Sequence, residues 1–177
     1  VFVWIVEGKP SPVPKITPEK VPRVSASHAT SRVTYDLIQG SPRDKTQEVH
    51  FTQSIMTTPV VTIDLNATLK QIETIFIEKR FRHLPVVDAN SRLIGILSDR
   101  DFWKNKAVGN HDWQSFYVKR VLTAKLSSEI HFCARIMLEE KIGCLPVVNE
   151  NQNVVGIITR SDILRTLVRF PGISLHV

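Results

Sequence analysis

His83-Leu84-Pro85-Val86-Val87 returns 61 residues later as Cys144-Leu145-Pro146-Val147-Val148. At the same offset, Gly95-Ile96-Leu97-Ser98-Asp99-Arg100-Asp101 returns as Gly156-Ile157-Ile158-Thr159-Arg160-Ser161-Asp162. Laid side by side without a gap, Leu69–Trp103 and Ile130–Leu164 share 10 identities over 35 positions. A repeat of this kind makes each copy one supersecondary unit that cannot bury its apolar face alone. Two copies, rather than a long array, predict a pseudo-symmetric pair with a usable space between them.

Working outward from the repeated segments, Val60–Ile63 is β-branched and reads as a short strand. Asn66 or Thr68 is placed to cap a helix whose apolar positions Leu69, Ile72, Ile75 and Phe76 recur at helical spacing. Leu84–Val87 and Leu93–Leu97 flank a polar turn and read as a hairpin-like strand pair, followed by a helix opening at Ser98. The second copy repeats this order, with a helix after Ser127/Ser128, strands at Leu145–Val148 and Val154–Ile158, and a last helix from Arg160 to Arg169 that stops at Pro171-Gly172. Matching Thr57 to Thr123, however, leaves the second copy about five residues short before its helix. Its first strand is therefore expected to be truncated, or a loop to be absent, which puts a pocket on that side in question.

The fold class expected is α+β: two β-α-β-β-α repeats packed with pseudo-twofold symmetry, plus an extended N-terminal arm. The expected boundaries are residues 1–50 for the arm, 51–107 for the first repeat, 108–118 for a linker, 119–170 for the second repeat and 171–177 for a tail. Six of the ten prolines lie in the arm, and Pro10, Pro12 and Pro14 on alternate positions favour a polyproline-like course. Phe2–Val6 has strand composition but is too short to stand alone, so it is expected to lie on a sheet edge of its own chain or of a dimer partner. In the linker, Trp113, Phe116 and Tyr117 are expected to pack onto the lobes rather than bind bases.

Composition narrows the function classes. The 177 residues carry a net charge of +6, spread along the chain without a polybasic stretch, so dedicated nucleic-acid binding is not expected. The longest apolar run, Val1–Val6, is far short of the roughly 20 residues of a membrane helix, and the chain is read as soluble and cytoplasmic. Cys133 and Cys144 fall at positions expected to be buried and read as reduced core thiols. The six histidines show no metal-ligand spacing, so no metal or cofactor is expected.

The chemistry sits at the repeated strand-to-helix corners. Ser98 with Asp101, and Thr159 with Asp162, have the spacing of a helix cap in which both side chains satisfy free backbone N–H groups, worth about 0.5–2 kcal/mol. The same geometry suits a ligand: a helix N-terminus with a hydroxyl attracts phosphate, and a carboxylate one turn along accepts from two vicinal ribose hydroxyls. Gly95 and Gly156 would let that ligand approach the backbone. A proline inside a strand belongs at an edge or start, which would leave backbone groups near His83 and Cys144 free to read a base edge. Duplication at one offset favours the ligand reading over the cap.

Both copies resemble cystathionine-β-synthase-type (CBS) domains, and the pair resembles a Bateman module. The resemblance covers roughly Gln53–Arg169 and rests on Met56-Thr57, on the two Leu-Pro-Val-Val strands and on the two Gly…Ser/Thr…Asp corners. It implies two clefts that bind adenosyl ligands (AMP, ADP, ATP or S-adenosylmethionine) and a disc-shaped homodimer. Carried over by residue, Asp101 and Asp162 would hold ribose hydroxyls, Ser98 and Thr159 would touch ribose or phosphate, and Arg100 and Arg160 would neutralise phosphate. Val60, Val61, His83 and Pro85 would enclose one adenine, and Cys144 and Pro146 the other. The function expected is a stand-alone, non-catalytic sensor that signals to an unidentified protein partner. The alternative is a structural or oligomerisation module with vestigial pockets.

Overall fold

The computed structural model describes residues 2–11 and 51–170. The prolines at 12 and 14, the rest of the expected arm and the tail at 171–177 lie outside the described residues. After a single helical turn α1 (Thr52–Ile55), the first repeat runs β3 (Ile63–Asp64), α2 (Leu69–Lys79), β4 (His83–Val87), β5 (Leu93–Ser98) and α3 (Asp99–Ala107). A 3₁₀ turn at Trp113–Ser115 leads into the second: β6 (Arg120–Lys125), α4 (Ile130–Glu139), β7 (Cys144–Val148), β8 (Val154–Thr159) and α5 (Arg160–Arg169). Each repeat has the expected β-α-β-β-α order.

Local chemistry sets the boundaries. Thr68 caps α2 through a full capping box with Gln71, and Ile72 and Phe76 carry the buried face. Ser98 and Thr159 cap α3 and α5. In each sheet the Leu-Pro-Val-Val strand is central, not an edge: β4 lies between β3 and β5, and β7 between β6 and β8. Proline is tolerated because the parallel ladder to the first strand begins only beyond it, at Ile63↔Val86 and Ala124↔Val147. At Pro85 and Pro146 each central strand is thus locally an edge.

Those registers also correct the alignment of the first strands. Ile63 to Ala124 and Val86 to Val147 are both 61 apart, so the repeat is ungapped through its first strand. Thr57 corresponds to Val118, not to Thr123. The second copy lacks nothing; its first strand, at six residues, is the longer of the two.

The extra length of β6 has a partner on its outer side. β1 (Phe2–Val6) pairs antiparallel with β6, from Phe2↔Ala124 to Val6↔Arg120, and β2 (Lys9–Ser11) folds back on β1. Glu7 and Gly8, at φ 50° and 78°, form the two-residue turn, and both positive angles match the I′ hairpin geometry. Phe2–Val6 therefore lies on its own chain, and Pro10 sits in an outermost strand rather than in a polyproline arm. The sheets are ordered β2-β1-β6-β7-β8 and β3-β4-β5.

The repeats exchange their leading segments. Thr57 bridges Ile157 of β8, with N–H···O distances of 2.9 and 3.2 Å, while Val118 bridges Ile96 of β5 at 2.8 and 2.9 Å. The Thr52 hydroxyl donates to Ser128 O at 2.7 Å, and at the matching position Trp113 Nε1 donates to Ala67 O at 2.8 Å. Ile55 and Met56 pack on the second repeat's core around Leu145, Met137 and Ile158. Trp113 is buried in the first repeat's core with Phe76, Leu97 and Phe102, flanked by Phe116 and Tyr117. The linker aromatics thus pack onto a lobe, and that lobe is the preceding repeat. A third cluster of Ile5, Leu93, Val121 and Val148 joins the two sheets.

Candidate functional site

The exchange brings both strand-to-helix corners to one cleft of about 840 Å³. α3 and α5 start there, directly after the central hairpins end at His83↔Ser98 and Cys144↔Thr159. Of the residues singled out in the sequence, Val60, Val61, His83, Ser98, Arg100, Asp101, Thr159, Arg160 and Asp162 line the cleft. Pro85, Cys144 and Pro146 do not: all three are buried within the central strands. Burial alone pushes the Cys144 thiol up to about 12, so it stays protonated.

The two corners are chemically alike but differ in engagement. Asp162 accepts from Thr159 N–H at 2.9 Å, from the Thr159 hydroxyl at 2.6 Å and from Arg165 Nη1 at 2.9 Å, and it is buried. That is the capping-box arrangement, reinforced by an ion pair. Asp101 is half-buried and accepts from the Ser98 hydroxyl at 2.6 Å. The Arg160 guanidinium donates to Ile142 O at 3.0 Å and Met137 O at 3.5 Å, which ties it to the end of α4.

His83 lines the cleft with its ring against Gly143: a Cβ built on that glycine would lie 3.0 Å from His83 Cε1. Desolvation lowers its pKa below the usual 6.5, with Arg82 and Arg160 acting in the same direction and Asp99 and Asp101 opposing. The glycines of the repeated corners have a different role from the one expected. A Cβ at Gly95 would lie 2.3 Å from the Tyr117 ring, and one at Gly156 would lie 2.5 Å from Met56 Sδ. They admit the crossing segment of the other repeat, not a ligand.

Sequence reasoning missed several cleft-lining cations: Arg80, Arg82, Lys141 and Arg165. A signal was present, because Arg80 and Lys141 are 61 apart and both end a helix with φ 53°. With Arg100 and Arg160, six Lys/Arg side chains line the cleft against Asp99, Asp101 and Asp162. Among the described residues, Arg80, Arg82, Arg100 and Lys141 make no ion pair.

Two exchanged β-α-β-β-α units around a shared polar cleft define a tandem-repeat module. The CBS domain family model matches residues 53–102 and 114–169, and the chain belongs to that family. It is 38% identical over 109 residues to a homoserine O-acetyltransferase of Methanobrevibacter ruminantium, a match covering 62% of this chain and 22% of that protein. The chain thus spans less than a quarter of that relative's length. Among solved structures, the CBS domain pair of protein MJ0100, in complex with 5′-methylthioadenosine and S-adenosyl-L-methionine, superposes with TM-score 0.65 at 28% identity, covering 68% of this chain and 98% of that one. The AcuB protein of Vibrio cholerae superposes with TM-score 0.64 at 28% identity, covering 70% and 95%. No helix among the described residues is long and apolar enough to cross a membrane.

Proposed function

We propose that this chain is a regulatory module that binds an adenosine-type ligand between its two CBS repeats and passes the resulting change in packing to a protein partner. The observation that carries the reading is the cleft of about 840 Å³, which both hydroxyl–carboxylate corners line. Its size lies in the range of small-ligand sites. The MJ0100 pair, with adenosyl ligands bound, supports the ligand class. The paired occurrence of Ser98/Thr159 and Asp101/Asp162 suits ligand holding better than an acid–base pair, which supports a non-catalytic role.

Charge favours the phosphorylated members of the class. The cleft has three more cations than carboxylates, and five of its six Lys/Arg make no ion pair among the described residues. AMP, ADP or ATP would find compensating charge there, whereas the sulfonium of S-adenosylmethionine would add to the excess. The alternative, a structural module with vestigial pockets, draws on the Asp162 carboxylate being engaged as a cap. Thermal unfolding with AMP, ADP, ATP and S-adenosylmethionine separates the two. A ligand at 100 times its Kd should add about 2.7 kcal/mol, with the phosphorylated compounds acting at lower concentration. No shift with any of the four would leave the structural reading in place.

The homodimer belongs to the same proposal. Ile77 and Leu138, 61 apart, are 59% and 64% exposed, and Trp103 and Leu164, also 61 apart, are exposed beside them on α3 and α5. The Lys106–Glu73 ion pair ties α3 to α2 in the first repeat, and α4 packs against α5 in the second, so each repeat carries an exposed apolar pair on neighbouring helices. A duplicated apolar face of this kind suits a second copy of the chain.

A further inference from the structure

We infer that the two halves of the cleft are not equivalent: one adenosine position is open, and the N-terminal strand β1 stands against the wall of the other. The inference rests on the adenosine reading above and assigns where, and how many times, the ligand binds.

Strand pairing decides which wall serves which corner. Thr57 runs beside Ile157, two residues before Thr159, so the segment Thr57–Val61 faces the Thr159/Asp162 corner. By the same exchange Val118 runs beside Ile96, so Val118–Leu122 faces the Ser98/Asp101 corner. The apolar wall of each position therefore comes from one repeat and its polar corner from the other.

The walls differ. Pro59, Val60 and Val61 line the cleft, and Val61 is 37% exposed. Their counterparts at the 61-residue offset are Arg120, Val121 and Leu122, none of which lines it. Val121 and Leu122 are 5% and 3% exposed, because Ile5 and Trp4 of β1 pair with them directly. Arg120 is paired with Val6, and its guanidinium lies 4.4 Å from the Trp4 ring centroid. The Thr123 hydroxyl donates to Val3 O at 2.8 Å. Ile5 is fully buried against Val121, Leu93 and Val148. The backbone edge and apolar surface that the first wall presents to the cleft are, in the second, spent on β1. Among the described residues, nothing pairs with the outer edge of β3, which ends its sheet.

Titration calorimetry of the full chain with ATP tests the assignment. The wild type should bind one ATP per chain. Val61→Glu, at an exposed position where the fold tolerates the change, should weaken that binding at least tenfold. Ile5→Asp places a carboxylate in the cluster that holds β1 and should raise the stoichiometry to two. Two ATP per wild-type chain, or unchanged affinity in Val61→Glu, would overturn the assignment while leaving the adenosine reading intact. A folded Ile5→Asp chain that still binds one ATP would also overturn it. Absence of binding in all three chains, with AMP, ADP and S-adenosylmethionine as well as ATP, would overturn the adenosine reading, and the assignment with it. Val61→Glu decides the matter even if Ile5→Asp does not fold.

Discussion

His83 and Cys144 occupy the same place in the two copies, yet only the histidine reaches the cleft. Its ring is held against Gly143 and flanked by Arg82 and Arg160, which together with desolvation keep it below its ordinary pKa. In the unfolded chain it takes up a proton at the ordinary value near 6.5. As pH falls through that value, the unfolded state binds the proton first and stability drops. The loss ends once the folded-state value is passed. Unfolding midpoints measured from pH 7.5 to 5 should therefore fall more steeply for the wild type than for His83→Asn. Parallel curves would mean that the ring is not desolvated. The sequence marked His83 by its position before the repeated strand. It could not show that Gly143 comes from the other copy, and that contact is what buries the ring.

At the scale of elements, helices and hairpins were legible because their signals are local: helical spacing in Leu69–Phe76, the cap at Thr68, the polar turn between the strands. The first strands and their partners were not. β3 has only two regular residues and, among the described residues, no strand on its outer edge, whereas β6 has six because β1 pairs along it. Composition alone does not carry that difference, and so Thr123 was matched to the wrong threonine. The crossing of the leading segments was equally hidden, since its partners lie about 100 and 22 residues away, at Thr57–Ile157 and Ile96–Val118. The repeated glycines report on it instead. A methyl at Gly95 meets the Tyr117 ring at 2.3 Å and the rigid Val118 carbonyl at 2.8 Å. Gly95→Ala should cost about 1–3 kcal/mol in chemical denaturation, the usual range for overpacking. Gly156→Ala should cost less, because Met56, the nearest neighbour at 2.5 Å, is unbranched and can move aside. Equal costs, or a neutral Gly95→Ala, would contradict the close crossing.

At the scale of the whole molecule, the duplication repeats the outer helices, so an apolar face on the helices of one repeat recurs on the other. The pairs Ile77/Leu138 and Trp103/Leu164 show this on the outer helices: Ile77, Leu138 and Leu164 are more than half exposed, and Trp103, edge-on to Phe102, is exposed in part. A chain with two such faces, related by a pseudo-twofold, can close a dimer through both at once. Charge placed in one face should then weaken the assembly, and charge placed in both should abolish it. Ile77→Glu or Leu138→Glu alone should shift the proposed dimer partly toward monomer in light scattering coupled to size exclusion, and the double variant should be fully monomeric. Because both positions are more than half exposed, the monomers should keep wild-type circular dichroism and bind ATP through a cleft that lies within one chain. A double variant that remains dimeric would place the contact elsewhere. A monomer that no longer binds ATP would mean that the second copy completes the site.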